Sequence, residues 1–128
     1  MDKLALTLLP DTFAICRLAR DARLPEWACS QSFYSITRTT DELSIVCTQS
    51  KVPDEIKCEK DFRCLKIKGK LEFSEIGILA SLAATLAKAN ISIFAISTYD
   101  TDYLLINNED LKNAIRVLIQ AGHSVQID

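Results

Sequence analysis

The sequence predicts an α+β protein of two lobes: a complete β-α-β-β-α-β unit over residues 62–128 and a reduced copy of it over residues 1–61. Three observations predict this. From Arg63 onward, apolar residues switch between alternating and helical spacing in the order strand, helix, strand, strand, helix, strand. A strand–turn–strand pattern occurs twice at a constant offset, as in a duplicated unit. No Gly- or Ser-rich linker divides the halves, so the lobes are expected to share a core or to join edge to edge.

The elements follow in chain order. "MDKLALTLLPD" has a short apolar run and no small-residue cleavage site, so it reads as a first strand and not as a signal peptide. "FAICRL" is dense in β-favouring residues and reads as a strand. Pro25 breaks any long helix after it, leaving a short helical turn over Pro25–Cys29. "SFYSITRTTDELSIVC" (Ser32–Cys47) is the first hairpin. It aligns with "SIFAISTYDTDYLLIN" (Ser92–Asn107), with Ser32 on Ser92, Phe33 on Ile93, Tyr34 on Phe94, Ile36 on Ile96 and Glu42 on Asp102. "SKVPDEI" offers at most a short helix begun by Pro53.

The second lobe opens with "RCLKIKGKL" (Arg63–Leu71), which puts Leu65, Ile67 and Leu71 on one face and Lys66, Lys68 and Lys70 on the other. That is a half-buried strand. "GILASLAATLAKA" spaces Ile78, Leu79, Leu82 and Leu86 as a helix, with Ser74 as N-cap and Asn90 as a left-handed stop. "ISIFAISTYDTDYLLI" (Ile91–Ile106) is a second hairpin around a polar knot. "EDLKNAIRVLIQAG" places Leu111, Ala114, Ile115 and Leu118 on one stripe, capped by Asn108 and ended by Gly122. "HSVQI" closes with Val125 and Ile127 alternating inward. This order is the split βαβ arrangement of ferredoxin-like folds.

Composition narrows the function. Of 128 residues, 48% are hydrophobic and 25% charged, an ordinary globular balance. Net charge is −2, which argues against nucleic acid as a partner because phosphate binding needs a concentrated basic surface. The basic run Lys57, Lys60, Arg63, Lys66, Lys68, Lys70 is interleaved at its start with Asp54, Glu55, Glu59 and Asp61, and reads as a solvated strand face. The longest uncharged run, Ile76 to Ala87, is too short to span a bilayer. Five cysteines, Cys16, Cys29, Cys47, Cys58 and Cys64, show no C-x-x-C spacing. Reduced thiols in a cytoplasmic setting are expected, with Cys16 and Cys47 in core runs.

The chemical inventory is equally bounded. His123 is the only histidine and reads as a surface or strand-end residue. Gly69, Gly77 and Gly122 form no phosphate-cradling loop. No nucleophile, base and orienting group can be named together, so no catalysis, metal or cofactor is expected.

What remains is a glycine at a helix start and a polar hairpin turn. Strands one and two of the β-α-β-β-α-β unit end on the same sheet edge. The loop at Phe73–Gly77 and the turn with Thr98, Thr101, Asp100 and Asp102 therefore lie together. Free N–H groups near Ile76–Leu79 suit an α-carboxylate, and an acid or carbonyl of the turn suits an α-ammonium.

The segment "EFSEIGILASLAATLAKANISIFAISTYDTDYLLI" resembles ACT domains, the small amino-acid-sensing regulatory modules. Gly77–Leu79 stands where those domains carry a Gly-hydrophobic-Leu helix start, and "LAKANISIFAISTYDTDYLLI" is similar to the closing half of the module in aspartate kinase regulatory regions. "ELSIVC" and "PEWA" extend the similarity to tandem-ACT proteins related to cytosolic arginine sensors of the CASTOR type. The chain departs from the Asp-x-Pro-Gly that many ACT domains carry before the helix, having "FSEIG" there, so the identity of a ligand does not carry over. The resemblance implies ligand contacts from Ser74, Glu75, Ile76, Gly77, Ile78 and Leu79 and from Thr98, Tyr99, Thr101 and Asp102. It implies an allosteric regulator that binds a free amino acid; from charge and run length, no nucleic acid or membrane partner is expected. The alternative is a dimerisation module without a ligand, whose polar turn is simply solvated. The small-residue face Ala80, Ala83, Ala84, Ala87 and open sheet edges lead to the expectation of a homodimer with the site at or near the subunit boundary.

Overall fold

A computed structural model describes residues 3–29, 32–68 and 77–127. The chain divides into two compact units, Met1–Pro10 with Arg63–Asp128, and Asp11–Phe62. The change of unit between Phe62 and Arg63 falls one residue after the expected 61/62 boundary, and the N-terminal ten residues group with the C-terminal lobe.

The larger unit holds β1 (Ala5–Leu8), the second half of β5 (Cys58–Ile67), α1 (Ile78–Lys88), β6 (Phe94–Ser97), β7 (Asp102–Asn107), α2 (Leu111–Gln120) and β8 (Ser124–Ile127). From β5 onward the order is β-α-β-β-α-β, the ferredoxin-like arrangement. Its strands lie in the order β8-β1-β5-β7-β6. β1 is the added strand: it runs antiparallel to β5, with Leu6 opposite Ile67 and Leu8 opposite Leu65, and parallel to β8, with Leu6 opposite Val125. It separates two strands that would otherwise be neighbours. One sheet face carries Leu6, Leu8, Leu65, Ile67, Leu104 and Ile106 against Leu82 and Leu86 of α1 and Ala114 and Leu118 of α2. These side chains are within a few per cent of full burial, so this is the core that the two periodicities foretold.

The helix ends follow backbone chemistry. α1 starts on Gly77, at φ 84° in the left-handed region, with no side-chain cap. Ser74, expected as its N-cap, lies outside the described residues, as does Leu71 of the expected strand. Asn90, at φ 61°, is the left-handed stop. α2 is preceded by a 3-10 turn over Asn108–Asp110, and the cap is Asn107: its side chain accepts from Glu109 N–H at 3.1 Å. The expected cap, Asn108, sits inside that turn because the helix begins one tight turn later than its apolar stripe suggests. Gly122 closes α2 at φ 100°. Ile127 is not inward: it is 74% exposed at the end of β8, where the sheet offers it no cover. His123 is not at the surface: it is buried, and its Nδ1 accepts the Leu4 N–H at 3.1 Å.

The smaller unit holds β2 (Phe13–Leu18), a 3-10 turn (Glu26–Ala28), β3 (Ser35–Arg38), β4 (Leu43–Thr48), a second 3-10 turn (Gln49–Lys51) and the first half of β5. Its strands run in the order β3-β4-β2-β5. Ala14, Cys16, Leu43, Ile45, Cys47 and Ala28 form its core. The lobe is reduced as expected, with 3-10 turns where the larger unit has helices; the second turn precedes Pro53 and is not begun by it. β5 starts at Cys58, five residues before the alternating pattern suggested. Within it Asp61 takes φ 70°, where its N–H donates to Gln49 Oε1 at 2.6 Å and its Oδ1 accepts from Gln49 Nε2 at 3.0 Å. No helix among the described residues is long and apolar enough to cross a membrane.

Candidate functional site

The β6–β7 connection is built by its two threonines. Thr98 N–H donates to the Thr101 carbonyl at 2.9 Å, and Thr98 Oγ1 donates to the same oxygen at 3.0 Å. Thr101 N–H in turn donates to Thr98 Oγ1 at 3.3 Å. A hydroxyl thus replaces the glycine chemistry of a tight hairpin. Thr101 is 4% exposed, and its Oγ1 donates to the carbonyl of Ile67 at 2.8 Å. Ile67 is the last residue of β5, from which the chain proceeds to α1. The turn is therefore fastened to the sheet edge at which the loop into α1 begins. Ser97 Oγ donates to the Asp102 carboxylate, orienting it, and Tyr99 is 80% exposed at the tip.

On the helix side, the Gly77 carbonyl accepts the Ser81 N–H at 2.8 Å and starts the α1 ladder. The N–H groups of Ile78, Leu79 and Ala80 precede the first such bond, and among the described residues no side chain caps them. They are donors at the positive end of the helix and suit a carboxylate. Ser74, Glu75 and Ile76 lie outside the described residues. Among the residues expected at the site, Thr98 and Thr101 are joined directly, Asp102 follows them held by Ser97, and Gly77, Ile78 and Leu79 form the helix entry. Thr101 differs from the expectation in its environment: its hydroxyl proton is committed to Ile67, so its part is to position the turn. Ser97 and the Ile67 carbonyl were missed by sequence reasoning. The signal for Ser97 was available in its place five residues before Asp102, on the far side of a hairpin turn.

The smaller unit repeats this turn. Thr39 N–H donates to the Glu42 carbonyl at 2.9 Å, and Glu42 N–H donates to Thr39 Oγ1 at 3.1 Å. The match sets Thr39 on Thr98 and Glu42 on Thr101, one residue away from the alignment read from the sequence. The strand registers agree: Arg38 opposes Leu43 as Ser97 opposes Asp102. A one-residue slip reverses every side chain across a strand, so the structural match, not the apparent one, preserves inward faces. With it, buried Ile45, Val46 and Cys47 fall on buried Leu104, Leu105 and Ile106. Around this first turn, arginines donate to main-chain oxygens: Arg17 to Asp41, Arg20 to Thr40, and Arg38 to Arg20 and Ala22. The β2–turn loop and the hairpin are knitted together by guanidinium groups there.

Among the described residues no group of three or more His, Cys, Asp or Glu side chains is placed to hold a metal ion. The arrangement consists of hydrogen-bond donors at a helix start and acceptors in a fixed turn. A family model described as the ACT domain matches residues 57–120, which contain both. The chain belongs to the ACT domain family.

A second family model, for an N-terminal domain, matches residues 11–55, close to the smaller unit. Among curated proteins, this ACT protein is 33% identical over 134 residues to cytosolic arginine sensor for mTORC1 subunit 1 of Pongo abelii, covering 88% of this chain and 41% of the relative. The chain thus spans about two fifths of that relative's length. Among solved structures, protein Atu0741 of Agobacterium tumefaciens is 37% identical with a TM-score of 0.94, covering 100% of this chain and 96% of that one. A structure of aspartokinase alpha and beta subunits, 17% identical over 94% of this chain and 98% of that one, has a TM-score of 0.63 and shares the fold.

Proposed function

We propose that this ACT protein is a non-catalytic, cytoplasmic regulatory protein that senses a free amino acid at the β5–α1 loop and the β6–β7 turn. The observation that carries the proposal is the Thr101–Ile67 hydrogen bond, which holds the acceptor-rich turn at the edge where the chain heads for the start of α1. The α-carboxylate would take the N–H groups of Ile78 and Leu79 together with the Ser74–Gly77 segment. The α-ammonium would take Asp102 and the carbonyls of Thr98 and Tyr99. The relative's printed name, an arginine sensor, places L-arginine first among ligands to try.

We further propose that the protein works as a homodimer, its two units acting as tandem lobes with residues 1–61 and 62–128 as their approximate extents. Two copies approach the length of the relative that one copy covers by 41%. Exposed Ala80, Ala84 and Ala87 on α1 supply a face for close packing. The site would then lie near the subunit boundary, and ligand would bias the dimer geometry.

Differential scanning fluorimetry against the standard amino acids is the test. A ligand of the native state raises the melting temperature by mass action. A shift with one amino acid that is diminished in Asp102→Ala supports the site. No shift with any amino acid favours a dimerisation module, a reading to which the exposed Phe94 on β6 also lends itself. Light scattering that finds a monomer with and without amino acids would sink the dimer.

A further inference from the structure

The smaller unit concentrates thiols. Cys16 on β2, Cys47 on β4 and Cys58 on β5 pack at one core, and all five cysteines of the chain are free. Cys16 and Cys58 are directly opposed across the antiparallel β2–β5 pair. Their type of pairing follows from the neighbouring residues. Arg17 N–H donates to the Lys57 carbonyl at 3.0 Å, so Arg17 and Lys57 are a hydrogen-bonded pair. Such pairs alternate with non-hydrogen-bonded ones along an antiparallel ladder, so Cys16 and Cys58 form a non-hydrogen-bonded pair. There the Cα atoms approach to about 4.5 Å and the side chains are close. That separation lies within the range a disulfide spans, about 4.4 to 6.8 Å. Cys47 is a different case. On the β2–β4 pair Cys16 opposes Ile45, so Cys47 is its diagonal neighbour, and diagonal Cβ atoms stand farther apart than a disulfide accepts.

Exposure orders the three thiols. Cys16 and Cys47 are fully buried, whereas Cys58 is half-buried and offers the way in from solvent. The cysteines of a solvated cluster would be scattered; these meet at one point with one open end.

We propose that Cys16 and Cys58 are a latent dithiol that a small-molecule disulfide converts into an intramolecular disulfide joining β2 to β5. The chemistry balances in two exchanges. The Cys58 thiolate attacks one sulfur of the oxidant, its S–S bond breaks, and one thiolate leaves. The Cys16 thiolate then attacks Cys58 Sγ, the protein S–S bond forms, and the second oxidant thiolate leaves. Two electrons pass from the protein to the oxidant, and the two cysteine protons end on the two released thiols. Burial raises the Cys58 thiol above its ordinary value, and the hydrogen bond with Cys47 together with burial does the same for Cys16. The thiolate is the attacking form, so the exchange is slow at neutral pH and faster as pH rises. The product closes a loop of about forty residues and constrains the unfolded chain.

The experiment treats the full chain with oxidised glutathione and maps disulfides by mass spectrometry of a digest made without reductant. The expected result is a Cys16–Cys58 linked peptide, loss of two thiols, faster formation at higher pH, and a thermal midpoint several degrees higher that returns on adding dithiothreitol. Cys29→Ser, at an exposed position, keeps the link, and Cys58→Ser loses it while remaining folded by circular dichroism. A glutathione adduct persisting on Cys58 beside a free Cys16 thiol, or a Cys16–Cys47 link in place of Cys16–Cys58, overturns the proposal.

Discussion

The Thr101 hydroxyl donates to the main-chain carbonyl of Ile67 at 2.8 Å, joining a hairpin turn to the end of a strand 34 residues earlier. This bond is buried. Thr101→Val keeps the shape and leaves the Ile67 carbonyl without that partner. The expected cost is about 1 to 3 kcal/mol, measured by urea unfolding. Thr101→Ser retains the donor and is expected to cost less than Thr101→Val. Equal stability of Thr101→Val and the parent protein would show that the bond contributes nothing.

Stability should fall in mild acid through His123. Its Nδ1 accepts from Leu4 N–H, which requires the neutral ring, and burial holds its pKa below the ordinary 6.5. The unfolded chain therefore takes up a proton before the folded one does. The His123 contribution is complete above about pH 6.5 and is lost as pH falls through the depressed folded value. Urea midpoints between about pH 8 and about pH 5 should decline. The His123→Gln variant should show a smaller decline, and an identical slope in both proteins would refute the assignment.

Gln49 should matter more than Asp61, the residue it serves. Asp61 stands at φ 70°, a conformation that costs a non-glycine residue about 1 to 2 kcal/mol. Gln49 compensates with two hydrogen bonds to it. Gln49→Ala removes both and keeps the strain, with an expected loss of about 1 kcal/mol. Asp61→Gly loses one bond and relieves the strain, so its net change is expected to be smaller. Thermal midpoints of the two variants decide the order.

Gly77→Ala separates backbone cost from crowding. Among the described residues a Cβ at Gly77 meets nothing within 4 Å, and the left-handed φ of 84° opposes it. The expected loss is about 1 kcal/mol, with α1 retained by circular dichroism. A collapse of helix content would mean that more than the backbone conformation is at stake there.

The local elements follow from residues close together in the chain. Ile78, Leu79, Leu82 and Leu86 announce α1 because helical spacing makes one apolar stripe, and Asn90 marks its end because few other residues accept a positive φ. The order of strands and helices after Arg63, and the polar character of both turns, are legible for the same reason: each depends on residues a few positions apart. The G-I-L helix start and the second hairpin also carried the family resemblance.

Features that depend on distant partners emerge only in the folded chain. β1 lies between β8 and β5, and nothing in "ALTL" states which strands it will pair with. His123 is buried because the N-terminal segment brings Leu4 to it from 119 residues away. The true register of the repeat, Thr39 on Thr98, emerges from the hydrogen bonds that close each turn, since apolar residues on both faces of β4 and β7 allow two alignments. Thr101 and Ser97 gain their parts in the candidate site from partners across a sheet edge and across a strand pair. Side-chain periodicity encodes which face is apolar; which main-chain group waits opposite a hydroxyl is settled only when the chain folds back on itself.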